Sequence, residues 1–244
     1  MTHGRLIAAT ATVGLAASTL LLTTPASATP KDKPENRGQA KTVSLTAQLD
    51  ELNFSGATGT ASATVRNQKI QNISVNASGL TPDAAHAIHI HYGEQAENEC
   101  PTMAAATATR TDGTRRLTTT DGEPFYGPIV VSLTTSGDTT PNSALALDRF
   151  PVAMGGKLSY SRNDIEFTDV AGTGYGTTGT GTAKQIADAI RDGEGVVVVH
   201  GVDYNGNGMY DFASAGRSDL TPMAPGAPAE ATDPALCGVL HHDH

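Results

Sequence analysis

The chain has 244 residues, with 16 Lys and Arg residues against 25 Asp and Glu residues, which gives a formal net charge of −9. A surface with this excess of negative charge repels nucleic acid and anionic lipid, so neither is expected as a partner. Aromatic residues make up only 5% of the chain and tryptophan is absent, and a composition dominated by Thr, Ser, Ala and Gly favours many short strands over a helical bundle.

The N-terminal residues have the layout of a secretory signal. Arg5 is followed by an apolar run over 6–22 and by the small-residue segment 25–28, so cleavage is predicted after Ala28. The alternative is a membrane anchor, but the run is short for a span of about 20 residues and no basic stop-transfer cluster follows it. We therefore expect secretion, no membrane span, a signal peptide over residues 1–28 and a flexible charged leader over 29–42.

A single β domain is predicted from residue 43 to residue 240. Period-two alternation with β-branched residues is typical of antiparallel strands with one wet face. This pattern predicts strands at 43–49, 59–66 and 70–77, then at 129–134, near 145–150 and at 157–167.

The C-terminal half adds a loop, a helix and a buried strand. The Gly- and Thr-rich stretch 172–181 is predicted to be a mobile loop. Thr182 then caps a short helix that ends at Gly193. The continuous apolar run 196–199, which leads into His200, indicates a strand that is buried on both faces.

Two histidines on a further predicted strand, 85–92, share one face. Side chains two apart on a strand project to the same side, so His89 and His91 lie together while Ile88 and Ile90 project to the other side. Two imidazoles on one strand and a third at the end of a core strand can form a three-nitrogen site that suits copper. The alternative is a pair of histidines that form hydrogen bonds in a polar cleft.

The two cysteines, Cys100 and Cys237, are most simply interpreted as one disulfide. An exported protein matures in an oxidising compartment, and an even number of cysteines leaves no spare thiol. Two metal-binding thiolates would need partners at CxxC-type spacing, which neither cysteine has.

Several short blocks, taken in order, resemble the copper/zinc superoxide dismutase family. They are Gly79-Leu80-Thr81-Pro82 with His86-Ala87-Ile88-His89-Ile90-His91, then Val197-Val198-Val199-His200, then Ala235-Leu236-Cys237-Gly238-Val239-Leu240. The middle of the chain, with Gly-Pro-Ile-Val-Val-Ser-Leu at 127–133, is similar to the related chordin-type (CHRD) domain.

The resemblance implies an all-β fold, a Greek-key sandwich or barrel with one short helix and one disulfide. It implies copper ligation by His89, His91 and His200, with His86 supporting the site from outside the ligand set. Cys100 and Cys237 fall where the dismutase family has its bridge.

Departures from the dismutase pattern bear on activity. No histidine lies between Cys100 and Val199, so a zinc site of the dismutase type is not expected. Pro234 stands where that family places an Arg that guides superoxide. Dismutase activity is therefore left open. The alternative is a non-catalytic extracellular binding or structural module whose loops contact a protein or glycan, in an oligomeric state that the sequence does not specify.

Two further segments could bind metal. Oxygen-bearing side chains recur at positions 1, 3, 5 and 9 of the segment 203–211, as in the first part of an EF-hand calcium loop, although Ser214 replaces the usual Glu at position 12. The alternative is an Asx-rich turn. The His-rich tail 241–244 is interpreted as a solvated end rather than a metal-capture site. The candidate calcium ligands are Asp203, Asn205, Asn207 and Asp211.

Overall fold

A computed structural model describes residues 42–105, 108–109, 113, 115–175, 179–220 and 223–242. The predicted signal peptide, the predicted leader up to residue 41 and the last two residues of the tail lie outside these ranges. None of the helices in the described ranges is long and apolar enough to span a membrane.

The described part of the chain is built mainly from strands. Three α-helices are present, α1 (Thr119–Tyr126), α2 (Ala183–Asp192) and α3 (Ala229–Thr232), together with short 3-10 turns at Met103–Ala105, Pro141–Ser143 and Leu147–Arg149. The strands are β1 (Thr42–Glu51), β2 (Thr58–Arg66), β3 (Lys69–Ser78), β4 (Ile88–His91), β5 (Ala108–Thr109), β6 (Arg115–Arg116), β7 (Ile129–Ser132), β8 (Lys157–Glu166), β9 (Val170–Ala171), β10 (Thr180–Gly181), β11 (Val196–His200), β12 (Pro234–Val239) and β13 (His241–His242).

Nine strands form one curled antiparallel sheet in the order β7-β4-β11-β12-β1-β2-β3-β8, with β13 also paired to β1. Hairpins join β1, β2 and β3, after which the chain crosses to the other end of the sheet for β4 and β7. It then returns for β8 beside β3 and crosses again for β11. The predicted all-β fold with Greek-key connections is confirmed.

The main core lies on the inner face of this sheet. Along β1 the inward residues Val43 to Leu49 alternate with exposed polar ones, as the period-two pattern predicts. Ile88 and Ile90 from β4 join the same core, as do Val197 and Val199 from β11.

A second, smaller core explains why β11 is apolar on both faces. Val196 and Val198 pack on the outer face against Leu117 and Tyr126. The disulfide between Cys100 and Cys237 belongs to this outer cluster, which confirms the predicted bridge. It ties the segment that covers the outer face to β12.

The prediction of a single helix is correct for α2 but incomplete. The sequence predicted one helix, and α2 confirms it with Thr182 as its N-cap and Gly193 in a left-handed conformation at its end. However, α1 and the short α3 were not predicted; Thr118 and Asp121 form a capping box at the start of α1.

The strand predicted near 145–150 is wrong, because 3-10 turns occupy this region. The carboxylate of Asp138 accepts from the Ser143 hydroxyl at 2.6 Å, and the Arg149 guanidinium donates to the same hydroxyl at 2.8 Å. These side-chain bonds hold a compact loop instead of a strand.

The first two residues of the predicted His-rich tail form a short strand. His241 and His242 form β13, whose backbone pairs with Thr46 and Leu45 of β1. Both histidine side chains remain exposed.

Candidate metal centre

The pairing of β4 with β11 brings three predicted ligands together. His89 lies opposite Val198 and His91 opposite Val196, so both imidazoles project to the outer face of the sheet. His200 lies two residues beyond Val198 and continues the same face. The pairing of β4 with β11, together with the two-residue period of β11, therefore places the three rings side by side.

The trihistidine site, defined as His89, His91 and His200, is compact and buried. One ring nitrogen from each residue lies within 4.8 Å of the other two. The side chains are 3%, 2% and 3% exposed, respectively. The ring centroids of His89 and His200 are 5.1 Å apart, and those of His89 and His91 are 5.7 Å apart.

Each of the three rings donates its N–H to a backbone carbonyl. His89 Nε2 lies 3.1 Å from the Ala144 oxygen, His91 Nδ1 lies 2.8 Å from the Gly127 oxygen, and His200 Nδ1 lies 2.6 Å from the Thr232 oxygen. A carbonyl can only accept, so these nitrogens carry the proton of the neutral ring. The carbonyls thereby fix the tautomer of every ring.

The remaining nitrogens carry lone pairs that nothing else in the described structure engages. His89 Nδ1, His91 Nε2 and His200 Nε2 are buried and have no hydrogen-bond partner there. Buried polar atoms are normally satisfied, so three orphaned acceptors in one place need an explanation. Neutral imidazole nitrogens whose opposite N–H is held by a carbonyl are what a metal ion requires of its histidine ligands.

The surroundings keep all three rings neutral. Burial, followed by the neighbouring His200, lowers the pKa of His91 to about 3. Burial also lowers the pKa of His200 to about 4, and it is the main reason that the pKa of His89 falls well below its ordinary value. Unprotonated rings keep their lone pairs available for a cation.

Aromatic rings enclose the site. The Tyr126 ring, at the end of α1, lies 4.5 Å from the His91 ring between centroids. Phe150 meets the His89 ring edge-on at 5.4 Å. Neither residue, nor the carbonyls of residues 127, 144 and 232, could be identified from the sequence, because they lie in irregular segments and short helices with no periodic signal.

His86 lies outside the trihistidine site and contacts the backbone of His200 at the end of β11. Its Nδ1 is 2.8 Å from the His200 oxygen, and its Nε2 is 3.1 Å from the Thr81 oxygen. The Tyr210 hydroxyl is 3.1 Å from both ring nitrogens. The ring is fully buried. Its hydrogen bonds link the 79–83 turn to the backbone of His200, a predicted metal ligand.

The predicted calcium loop forms a tight turn around Asp203. Its carboxylate accepts the backbone N–H groups of Gly206 at 2.8 Å and Gly208 at 2.6 Å. The side-chain amides of Asn205 and Asn207 donate to Asp211. The acidic side chains of this loop do not form a close ligand cluster like that of the histidines in the described residues.

Glu230 in α3 is a residue of this loop region that the sequence did not reveal. Its side chain is fully buried and accepts from the backbone N–H groups of Tyr204 at 3.1 Å and Asp211 at 2.7 Å. It also accepts from the Ser214 hydroxyl. A carboxylate from a distant helix thus lies against the loop position where an EF-hand would supply its own Glu.

No protein-family model matches this chain, and no curated protein is significantly similar to it in sequence.

The three depressed pKa values predict how the stability of the metal-free protein depends on pH. The unfolded rings titrate near 6.5, so the unfolded state binds more protons than the folded state between that pH and about 4. Stability is fully present above pH 6.5 and falls as the pH drops, with each ring contributing about 1.4 kcal/mol per pH unit. Urea unfolding of chelator-treated protein at pH 7, 6 and 5 measures this slope.

Matched variants separate the site from other titrating groups. His91→Gln removes one titrating ring, so the slope is expected to become shallower by about 1.4 kcal/mol per pH unit. His241→Gln changes an exposed histidine and is expected to keep the wild-type slope. Equal slopes in all three proteins would contradict the assignment of neutral buried rings.

Proposed function

We propose that this chain is a secreted copper-binding β domain of the superoxide dismutase-like or chordin type, which holds one copper ion through His89, His91 and His200. The observation that carries the proposal is the compact cluster of three buried histidines. One ring nitrogen of each lies within 4.8 Å of those of the other two, and each ring also has one buried nitrogen without a hydrogen-bond partner in the described residues. Their fixed tautomers make the site ready for an ion without rearrangement of the protons.

The donor set favours copper among the divalent metals. Three neutral imidazoles suit copper and zinc, and copper stands highest in the affinity series for nitrogen ligands. No cysteine thiolate is available to alter that preference, because both cysteines form the disulfide. Three protein ligands leave a further coordination position for a small ligand.

The residues of this chain would bind and shield the ion. The carbonyls of Gly127, Ala144 and Thr232 hold the imidazole planes, while Tyr126 and Phe150 exclude water from two sides. Bound copper would supply one-electron chemistry. The protein residues orient the ligands, and their low-dielectric surroundings strengthen electrostatic interactions with the ion.

Copper stoichiometry tests the metal site. Tag-free protein, reconstituted and desalted, is expected to retain one equivalent of copper by elemental analysis. His89→Ala and His200→Ala are expected to weaken copper binding by more than the roughly 10- to 100-fold that changes outside the ligand set cost. His241→Ala is the matched control, because it removes an exposed histidine. Unchanged binding in His89→Ala, or less than a few tenths of an equivalent in the wild type, would reject the metal site.

A non-catalytic extracellular module is the second candidate. The observation in its favour is the enclosure of the three rings, because a redox enzyme must let its substrate reach the metal. Such a module would present its long loops to an extracellular protein or glycan. Copper-loaded protein is expected to dismutate superoxide no faster than free copper if the module is correct. Turnover well above that level, lost in His200→Ala, would favour the enzyme.

For the loop at 203–211 we propose weak calcium binding by Asp203, Asn205, Asn207 and Asp211, supported by the buried carboxylate of Glu230. The dissociation constant is expected on the order of 10⁻⁴ to 10⁻³ M, as in extracellular calcium modules. Calorimetric titration should show this binding in the wild type and its loss in Asp203→Asn.

Asp164→Asn is the matched control for charge in this titration, since Asp164 is an exposed residue on β8. Wild-type protein that shows no calcium-dependent heat would identify the segment as an Asx-rich turn.

A further inference from the structure

One loop makes two contacts with the His89 ring. The 134–150 loop lies between β7 and β8. The oxygen of its residue Ala144 accepts the Nε2–H of His89 at 3.1 Å, and Phe150 at its end meets the same ring edge-on at 5.4 Å. Because a carbonyl fixes the proton on the nitrogen that it contacts, the position of the Ala144 oxygen determines the tautomer of His89.

The loop has little regular structure that could hold this carbonyl in place. All of its residues are described, and its regular structure consists of the two 3-10 turns, Pro141–Ser143 and Leu147–Arg149. Such turns are short and have poorer hydrogen-bond geometry than an α-helix. The Ala144 carbonyl therefore needs side-chain contacts to keep its position.

The hydroxyl of Ser143, the residue directly before Ala144, is held from two sides. It donates to Oδ2 of Asp138 at 2.6 Å and accepts from the guanidinium of Arg149 at 2.8 Å. Ser143 is only 3% exposed. Hydrogen bonds to charged groups are shorter and stronger than those between neutral groups. These three residues, which we call the Ser143 clamp, thus fix the backbone next to the carbonyl that serves His89.

The Ser143 clamp is anchored to the strand next to His89. Ser132 of β7 lies opposite His89 in the pairing of β7 with β4, and its backbone N–H donates to the Thr139 oxygen of the loop at 2.8 Å. The Arg149 guanidinium also donates to the Ser136 oxygen at 3.0 Å. The clamp therefore joins the two ends of the loop at the strand that pairs with His89.

We propose that Ser143 is a positioning residue of the trihistidine site. Its hydroxyl, held in the Ser143 clamp, keeps the Ala144 carbonyl within reach of His89 Nε2–H, so that His89 retains its lone pair on Nδ1. That Nδ1 is buried and has no hydrogen-bond partner in the described part of the chain. The effect on the tautomer concerns the metal-free protein, whereas the effect on copper affinity rests on the proposed function.

NMR spectroscopy of the metal-free full chain tests the effect on the tautomer. The chemical shifts of the two ring nitrogens report which of them carries the proton. Wild-type His89 is expected to show the Nε2–H tautomer alone. In Ser143→Ala its shifts are expected to move towards the average of the two tautomers, because the Ala144 carbonyl is no longer held. His91 and His200 are internal controls, since their carbonyl partners lie in other segments.

Three further variants make the result specific. Ser143→Thr keeps the hydroxyl and is expected to restore the wild-type shifts of His89. Ser161→Ala removes an exposed hydroxyl on β8 and is expected to change none of the three rings. If Ser143→Ala does not fold, Arg149→Met, which removes the donor to the same hydroxyl, takes its place. Circular dichroism and thermal unfolding establish folding for every variant.

Copper affinity, measured by competition with a chelator, tests the effect on the ion. Ser143→Ala is expected to weaken copper binding by about tenfold, at the lower end of the range for residues that support metal ligands. Ser143→Thr and Ser161→Ala are expected to bind copper like the wild type.

The outcomes separate this inference from the proposed function. A changed tautomer at His89 alone, together with weaker copper binding, supports the positioning role. An unchanged His89 tautomer overturns it, as does an equal change in all three rings, which a general loss of stability would produce. A changed tautomer without loss of copper affinity overturns the role at the metal. Wild-type protein that binds no copper contradicts the proposed function, while the tautomer measurement still decides the role of Ser143.

Discussion

The hydrogen bonds from three imidazole N–H groups to three backbone carbonyls are the constraint on which the rest of the site depends. Without them each ring could carry its proton on either nitrogen or turn its lone pair away from the others. With them, Nδ1 of His89 and Nε2 of His91 and His200 keep their lone pairs and have no hydrogen-bond partner in the described residues. Leaving three buried nitrogens without partners costs about 1–3 kcal/mol each in the metal-free state, and a bound ion would offset that cost.

The three carbonyls come from segments that are otherwise unrelated in the fold. One follows α1, one lies beside the 3-10 turn at Pro141–Ser143, and one belongs to α3. The disulfide and the Asp138–Ser143–Arg149 bonds hold two of these regions against the sheet. The β sheet therefore places the histidines, whereas loop structure that is stabilised separately determines which nitrogen of each ring carries the proton.

The division between sheet and loops also explains how much the sequence could predict. The shared face of His89 and His91 follows from the two-residue period of a strand, and the burial of β11 on both faces follows from its continuous apolar run. Helix α2 was predictable because Thr182 is a strong local start signal and Gly193 a strong local stop signal. Tyr126 and Phe150 could not be found in this way, because their positions beside the site depend on long-range packing of irregular segments and short helices.

The same reasoning explains why the charge environment of the site could not be inferred from composition. The chain is strongly acidic overall, yet the trihistidine site consists of three buried, neutral imidazoles. Net charge describes long-range attraction to the surface, whereas the preference of a buried site depends on one or two groups within a low-dielectric region.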